Sequence, residues 1–145
     1  MEQERVYSNV QPDTLTHLIL RGKSHNSNVV NGNLARNDLI EASNSLQASW
    51  IQMKESETFI PHVHEDRIIS QRLSNTQECW VVIEGMIEAS LYDTDTTLIC
   101  KRQLEAGDFV FTLKGGHNYM CLSQNAQVCE IKSGPYDTEN DKRRF

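Results

Sequence analysis

An all-β fold is predicted by three features of this 145-residue chain. From residue 46 onward it breaks into apolar runs of about five to eight residues; Gly, Asp, Asn and Ser clusters separate them; and helical periodicity is absent. Runs spaced so regularly point to a sandwich or a barrel. The length suits one domain, and 38% hydrophobic against 23% charged residues is enough to bury a core without a disulfide framework.

Taken in order, residues 1–9 are polar and mixed in charge, with no apolar stretch of the kind a secretory signal needs. Residues 15–20 form a short apolar run that periodicity alone leaves open between strand and helical turn, with strand preferred. Six of the eleven asparagines fall within 26–44, which marks loop and turn territory. There Asn31-Gly32 between short apolar flanks predicts a hairpin over 29–34. Strands are then expected over 46–54, 58–64, 67–73, 78–84, 87–92, 98–104, 108–113, 117–122 and 128–132. In the fifth of these, Ile87, Ala89 and Leu91 alternate with Glu88, Ser90 and Tyr92, as on a sheet packed on one side. Phe109, Phe111 and Leu113 share a face and are expected in the core. The organisation that follows is an N-terminal segment 1–45 packing on a barrel 46–136, with a charged tail 137–145.

Twenty acidic against fourteen basic side chains give a formal charge of −6, and no segment concentrates Lys and Arg. Nucleic acid and anionic membranes are therefore not expected partners. The longest apolar runs are far short of the ~20 residues that cross a bilayer. Cys79, Cys100, Cys121 and Cys129 include no Cys-x-x-Cys pair, so they are read as reduced thiols of a cytoplasmic protein.

The informative segment is Pro61-His62-Val63-His64. In a strand His62 and His64 would project to one side, about 7 Å apart at Cα, close enough to converge on one ion. A bare His-x-His is as often a pair of surface histidines, so further ligands are needed. Glu78 opens the run Glu78-Cys79-Trp80-Val81-Val82-Ile83-Glu84-Gly85. Gly107-Asp108 leads through Leu113-Lys114-Gly115-Gly116 to His117.

Together these residues resemble the two sequence motifs of the cupin superfamily, over roughly residues 59–121. The resemblance implies a single-domain jelly-roll β-barrel holding one divalent transition metal through His62, His64, Glu78 and His117. Imidazoles with one carboxylate suit Fe, Mn, Co, Ni, Cu or Zn and leave positions open for water or substrate. A structural zinc site would favour thiolates, which no cysteine spacing here provides. The chain departs from the family pattern in several places. Thirteen residues separate His64 from Glu78 where three or four are usual, which makes room for an inserted hairpin with Arg67 and Arg72. Leu113 stands in place of a proline, His117 comes one residue early, and Cys121 stands where an asparagine is common. Glu65 and Asp66 compete with Glu78 but lack its spacing to Gly85.

Around these ligands, Trp80 shares the parity of Glu78 and either floors a pocket or fills core. Tyr119 and Cys121 share the parity of His117, as a pocket proton donor and thiol or as plain strand residues. Arg72 and Lys54 are candidates to hold an anionic substrate, against the ordinary reading of solvent-facing charges. His17 and His25 lie outside the motifs. The ending Ser133-Gly134-Pro135-Tyr136, with Asp141-Lys142-Arg143-Arg144-Phe145, is similar to that of small cupins associated with surface-polysaccharide or nucleotide-sugar gene sets. That likeness implies a role in carbohydrate biosynthesis. The function expected is a metal-dependent isomerase, epimerase or oxygenase acting on a small polar, sugar-linked molecule. The alternative is a non-catalytic metal- or carbohydrate-binding module. A homodimer joined through edge strands is expected.

Overall fold

The computed structural model describes residues 2–22, 35–52, 56, 58, 60–64, 75–134 and 143–145. The chain divides into two compact units, Met1–Asn26 with Asn75–Phe145, and Ser27–Ser74. All regular structure in the described residues is β; they contain no helix, and so none long and apolar enough to cross a membrane.

The larger unit holds two antiparallel sheets. Strands β1 (Glu2–Tyr7), β2 (Leu15–Arg21), β5 (Glu78–Glu84), β8 (Phe109–Thr112) and β10 (Gln127–Lys132) pair in the order β1-β2-β8-β5-β10. The second sheet runs β7-β6-β9, from β6 (Met86–Tyr92), β7 (Leu98–Glu105) and β9 (Gly116–Cys121). Neither sheet closes on itself, so the described strands of this unit form two open sheets. Val6, Ile19, Val82 and Val110 of the first meet Ile87, Ala89, Leu91 and Leu104 of the second in one core cluster. Each such side chain, once buried, contributes about 1.5–3 kcal/mol.

Alternation explains β6: Ile87, Ala89 and Leu91 are at most 3% exposed and point at the other sheet. β2 and β8 behave differently, being buried on both faces. Phe111 and Leu113 are indeed buried, but Val110 and Thr112 on the opposite face are too. β1 has almost no apolar alternation. It exists because its backbone completes a ladder on β2, with only Val6 sunk into the core.

In the smaller unit β3 (Ala35–Asp38) pairs with β4 (Ser49–Gln52). The strand expected over 58–64 does not form: Thr58 and residues 60–64 lie in no strand and are exposed. Pro61 has no amide hydrogen to give a ladder, and among the described residues no strand pairs with this segment. The hairpin expected at 29–34 and the strand at 67–73 lie outside the described residues.

Two glycines hold tight turns. Gly85, between β5 and β6, has φ +79°, and a Cβ there would stand 2.2 Å from the Asn125 carbonyl oxygen. Gly115, just before β9, has φ +78°, and a Cβ would stand 2.3 Å from the Tyr92 carbonyl oxygen. Side chains are excluded at both.

Candidate functional site

Register sets out the inner face of the first sheet. Val6, His17, Thr112, Glu78 and Lys132 are successive partners across its five strands, and directly opposed residues project to the same side. The next row inward is Glu4, Ile19, Val110, Trp80 and Glu130. From the second sheet, His117 sits opposite Leu91 and Tyr119 opposite Ala89, so both rings turn toward the first sheet. At this end the apolar core gives way to polar groups.

Four of the candidate residues, Glu78, Trp80, His117 and Tyr119, meet there. His117 Nε2 lies 3.0 Å from Glu78 Oε1, and the indole Nε1–H of Trp80 donates to the same carboxylate oxygen. Trp80 stacks on Tyr119 with ring centroids 4.1 Å apart, and Tyr119 lies 5.1 Å from the His117 ring. Burial pushes the Glu78 carboxyl upward, but His117 and Trp80, with Lys132 nearby, outweigh it and hold the pKa below the usual carboxylate value. Burial, with the Glu78 charge adding to it, drives the Tyr119 phenol well above its ordinary range despite a hydrogen bond with Thr112. Tyr119 is therefore a neutral donor at physiological pH. His117 Nδ1 is buried and has no hydrogen-bond partner among the described residues. With Nε2–H given to Glu78, the ring turns its unpartnered Nδ1 into the buried side.

Behind this pair lies His17, fully buried, which the sequence reading set aside. Its Nε2 is 3.0 Å from the Tyr92 carbonyl and its Nδ1 is 3.3 Å from Thr112 Oγ1. Desolvation lowers its pKa to about 4; the Tyr92 hydrogen bond opposes this, His117 reinforces it, and Asp93 opposes it. A neutral ring whose Nε2–H must donate to a carbonyl leaves Nδ1 as acceptor. The hydroxyl chain thus runs in one direction, Tyr119 to Thr112 to His17. The available signal was its position in an apolar strand, which placed it inside the sheet but not beside Glu78.

Outside these rows an open cleft of about 880 Å³ is lined by Glu78, Thr112 and His117, the turn after β6, Lys114–Gly116 and the C-terminal Arg143–Phe145. Phe145 packs edge-on against Tyr92, ring centroids 5.1 Å apart, and lies over Gly116. Asp93 anchors the turn. It is 1% exposed, and its carboxylate accepts from the amides of Asn9 at 2.6 Å, Val10 at 3.4 Å and Thr94 at 2.7 Å. Burial alone would raise its pKa, but bonds from Ser8, Thr94, Asn9 and Val10 hold it at about 2. Of the loops of this cleft, sequence reasoning singled out Lys114–Gly116 and the ending that holds Arg143–Phe145, but it missed the turn after β6, which no motif marks.

The remaining candidates lie elsewhere. His62 and His64 belong to the smaller unit, exposed, with ring centroids 5.2 Å apart and ring planes at 70°. They approach each other although no strand aligns them. His62 Nδ1 lies 2.9 Å from the Ile60 carbonyl, to which it donates, so the neutral ring keeps Nε2 as its lone-pair nitrogen. Cys121 is exposed at the end of β9, its thiol bonded to the Ser123 carbonyl, and it does not line the cleft. Arg72 and Lys54 lie outside the described residues. Among the described residues no three His, Cys, Asp or Glu side chains are gathered around one point. Comparison with protein-family profiles, curated proteins and solved structures finds no match to this chain.

Proposed function

We propose that the chain is a metal-binding cupin of jelly-roll type, acting as a metal-dependent enzyme on a small polar, sugar-linked molecule. The observation that carries this reading is the Glu78–His117 pair. A carboxylate and an imidazole from opposite sheets stand 3.0 Å apart beside an open cleft, and the other ring nitrogen has no partner. Donors at adjacent corners of an octahedron with bonds of about 2.1 Å are about 3.0 Å apart, so the pair has the spacing of two ligands as well as of a hydrogen bond. The resemblance to cupins also implies His62 and His64 as ligands, and imidazole with carboxylate is the donor set of a borderline divalent ion.

When bound, such an ion supplies Lewis-acid polarisation of a substrate oxygen. The chain's own part is to orient and exclude. Trp80 and Tyr119 back Glu78 on its core side, away from the cleft, and Asp93 holds the turn that carries Thr94 and Thr96. Tyr119 keeps its proton and engages it with Thr112, which lines the cleft. Elemental analysis of untagged protein purified without added metal tests the reading. One equivalent of a transition metal is expected, lost in both His62→Ala and His117→Ala. Metal retained in either variant would refute a shared site. Turnover of a nucleotide sugar, set against saturable binding without turnover, separates the enzyme from a binding module.

A further inference from the structure

The geometry points to a phosphate-binding subsite in the same cleft, formed by Lys114, Arg143 and Arg144, so that the ligand carries a phosphate group. The inference rests on the cleft being the functional site and adds the class of molecule it takes. All three side chains line the cleft. Each is exposed, and among the described residues none has an ion-pair or hydrogen-bond partner.

Several other described basic groups are paired, although Arg5 on β1 is not. Arg21 pairs with Asp108, Lys101 with Glu88 and Arg102 with Glu4, at 2.6–2.9 Å. The acids inside the cleft cannot neutralise the three cations. Both oxygens of Asp93 are taken by backbone amides, and Glu78 is held by His117 and Trp80. A chain of net charge −6 thus gathers three uncompensated cations at one opening. A carboxylate would be satisfied by one guanidinium. Three cations beside Thr94 and Thr96 match a dianionic, many-acceptor oxyanion, which a phosphate is.

Phe145 has a stated part in this arrangement. Its ring, seated against Tyr92 and over Gly116, fixes the end of the chain that carries Arg143 and Arg144. Phe145 is a positioning residue, acting through the placement of Arg143 and Arg144.

Calorimetry on the full chain at 100 mM salt tests the inference with glucose 1-phosphate, inorganic phosphate and glucose as probes. Glucose 1-phosphate should bind at least tenfold more tightly than glucose. The triple variant Lys114→Gln/Arg143→Gln/Arg144→Gln should weaken it about thirtyfold, from about threefold for each exposed cation. Lys101→Gln, which removes an already paired charge, should leave binding within twofold. Phe145→Ala should weaken binding several-fold while every cation remains. Inorganic phosphate matching the ester means the subsite takes the free ion; a tighter ester means it takes a phosphorylated sugar; either outcome supports a phosphate site.

A triple variant within threefold of the parent, glucose binding as well as its phosphate, or no saturation by 10 mM would overturn it. Because all substituted side chains are exposed, thermal midpoints should stay within a few degrees. Metal content measured on the same samples keeps the two readings apart. Metal-free protein that still binds the ester through these cations refutes only the metal. Metal-loaded protein indifferent to phosphate refutes only the subsite.

Discussion

Acidifying the protein from pH 7.5 to 4.5 should cost it about 3 kcal/mol of stability through one side chain, His17. The ring is fully buried, and its pKa lies at about 4 against an ordinary value of 6.5. Burial is the main cause. The Tyr92 carbonyl and Asp93 pull the other way and His117 adds its own repulsion. Between pH 6.5 and 4 the unfolded chain carries a proton that the folded chain refuses. Stability from this group is therefore complete above pH 6.5 and falls as pH drops through that window, by about 3 kcal/mol over its whole width.

Urea unfolding followed by circular dichroism at constant ionic strength reads this as a midpoint lower by about 1–2 M. Glu78 and Asp93, both held below their ordinary values, add loss of the same sign once pH falls past the usual carboxylate range. A His17→Gln variant carries those carboxylates without the imidazole, so the difference between the two pH profiles isolates His17. If that variant does not fold, ring nitrogen spectra of the parent decide the matter. They should report an Nε2–H tautomer that does not titrate above pH 5. A His17 that titrates near 6.5, or equal pH slopes in parent and variant, would refute the reasoning.

Two further outcomes follow from packing. With a thiol reagent at pH 8, exposed Cys121 and Cys129 should react at once and Cys100 more slowly; Cys79 should wait for denaturant, because burial, Cys129 and Glu78 push its pKa up to about 12. Rapid labelling of Cys79 in native protein would contradict its burial. Asp108→Ala should destabilise by about 3 kcal/mol in the same urea assay, since it strips acceptors from the amides of Gly22 and Glu105 and unpairs Arg21, whereas a loss under 1 kcal/mol would deny that role.

What could be read in the amino-acid order was whatever a single strand decides for itself. The parity that joined Glu78, Trp80 and Val82 holds because a strand alternates whatever lies beside it, and Trp80 and Val82 both pack at the core. The same parity set His117 with Tyr119, yet it also included Cys121, which stands exposed at the end of β9 although its cross-strand partner Ile87 is buried. Parity names a face; only the neighbouring layer decides whether that face is covered. His62 and His64 make the converse point. Their approach was expected from strand geometry that never forms, and they meet without it, one ring held by the Ile60 carbonyl. β1 stayed invisible because Glu2, Gln3, Glu4 and Arg5 are polar and the ladder to β2 alone makes them a strand. The row that puts His17 beside Thr112 and Glu78 depends on a register between strands nearly a hundred residues apart, and so does the closeness of Tyr92, Gly116 and Phe145. Such register is chosen by the whole core, since a slip of one residue would turn Ile19, Val110 and Trp80 outward together. The cleft is therefore a consequence of packing the apolar rows correctly, which is why the turn after β6 that helps to line it carries no local signature.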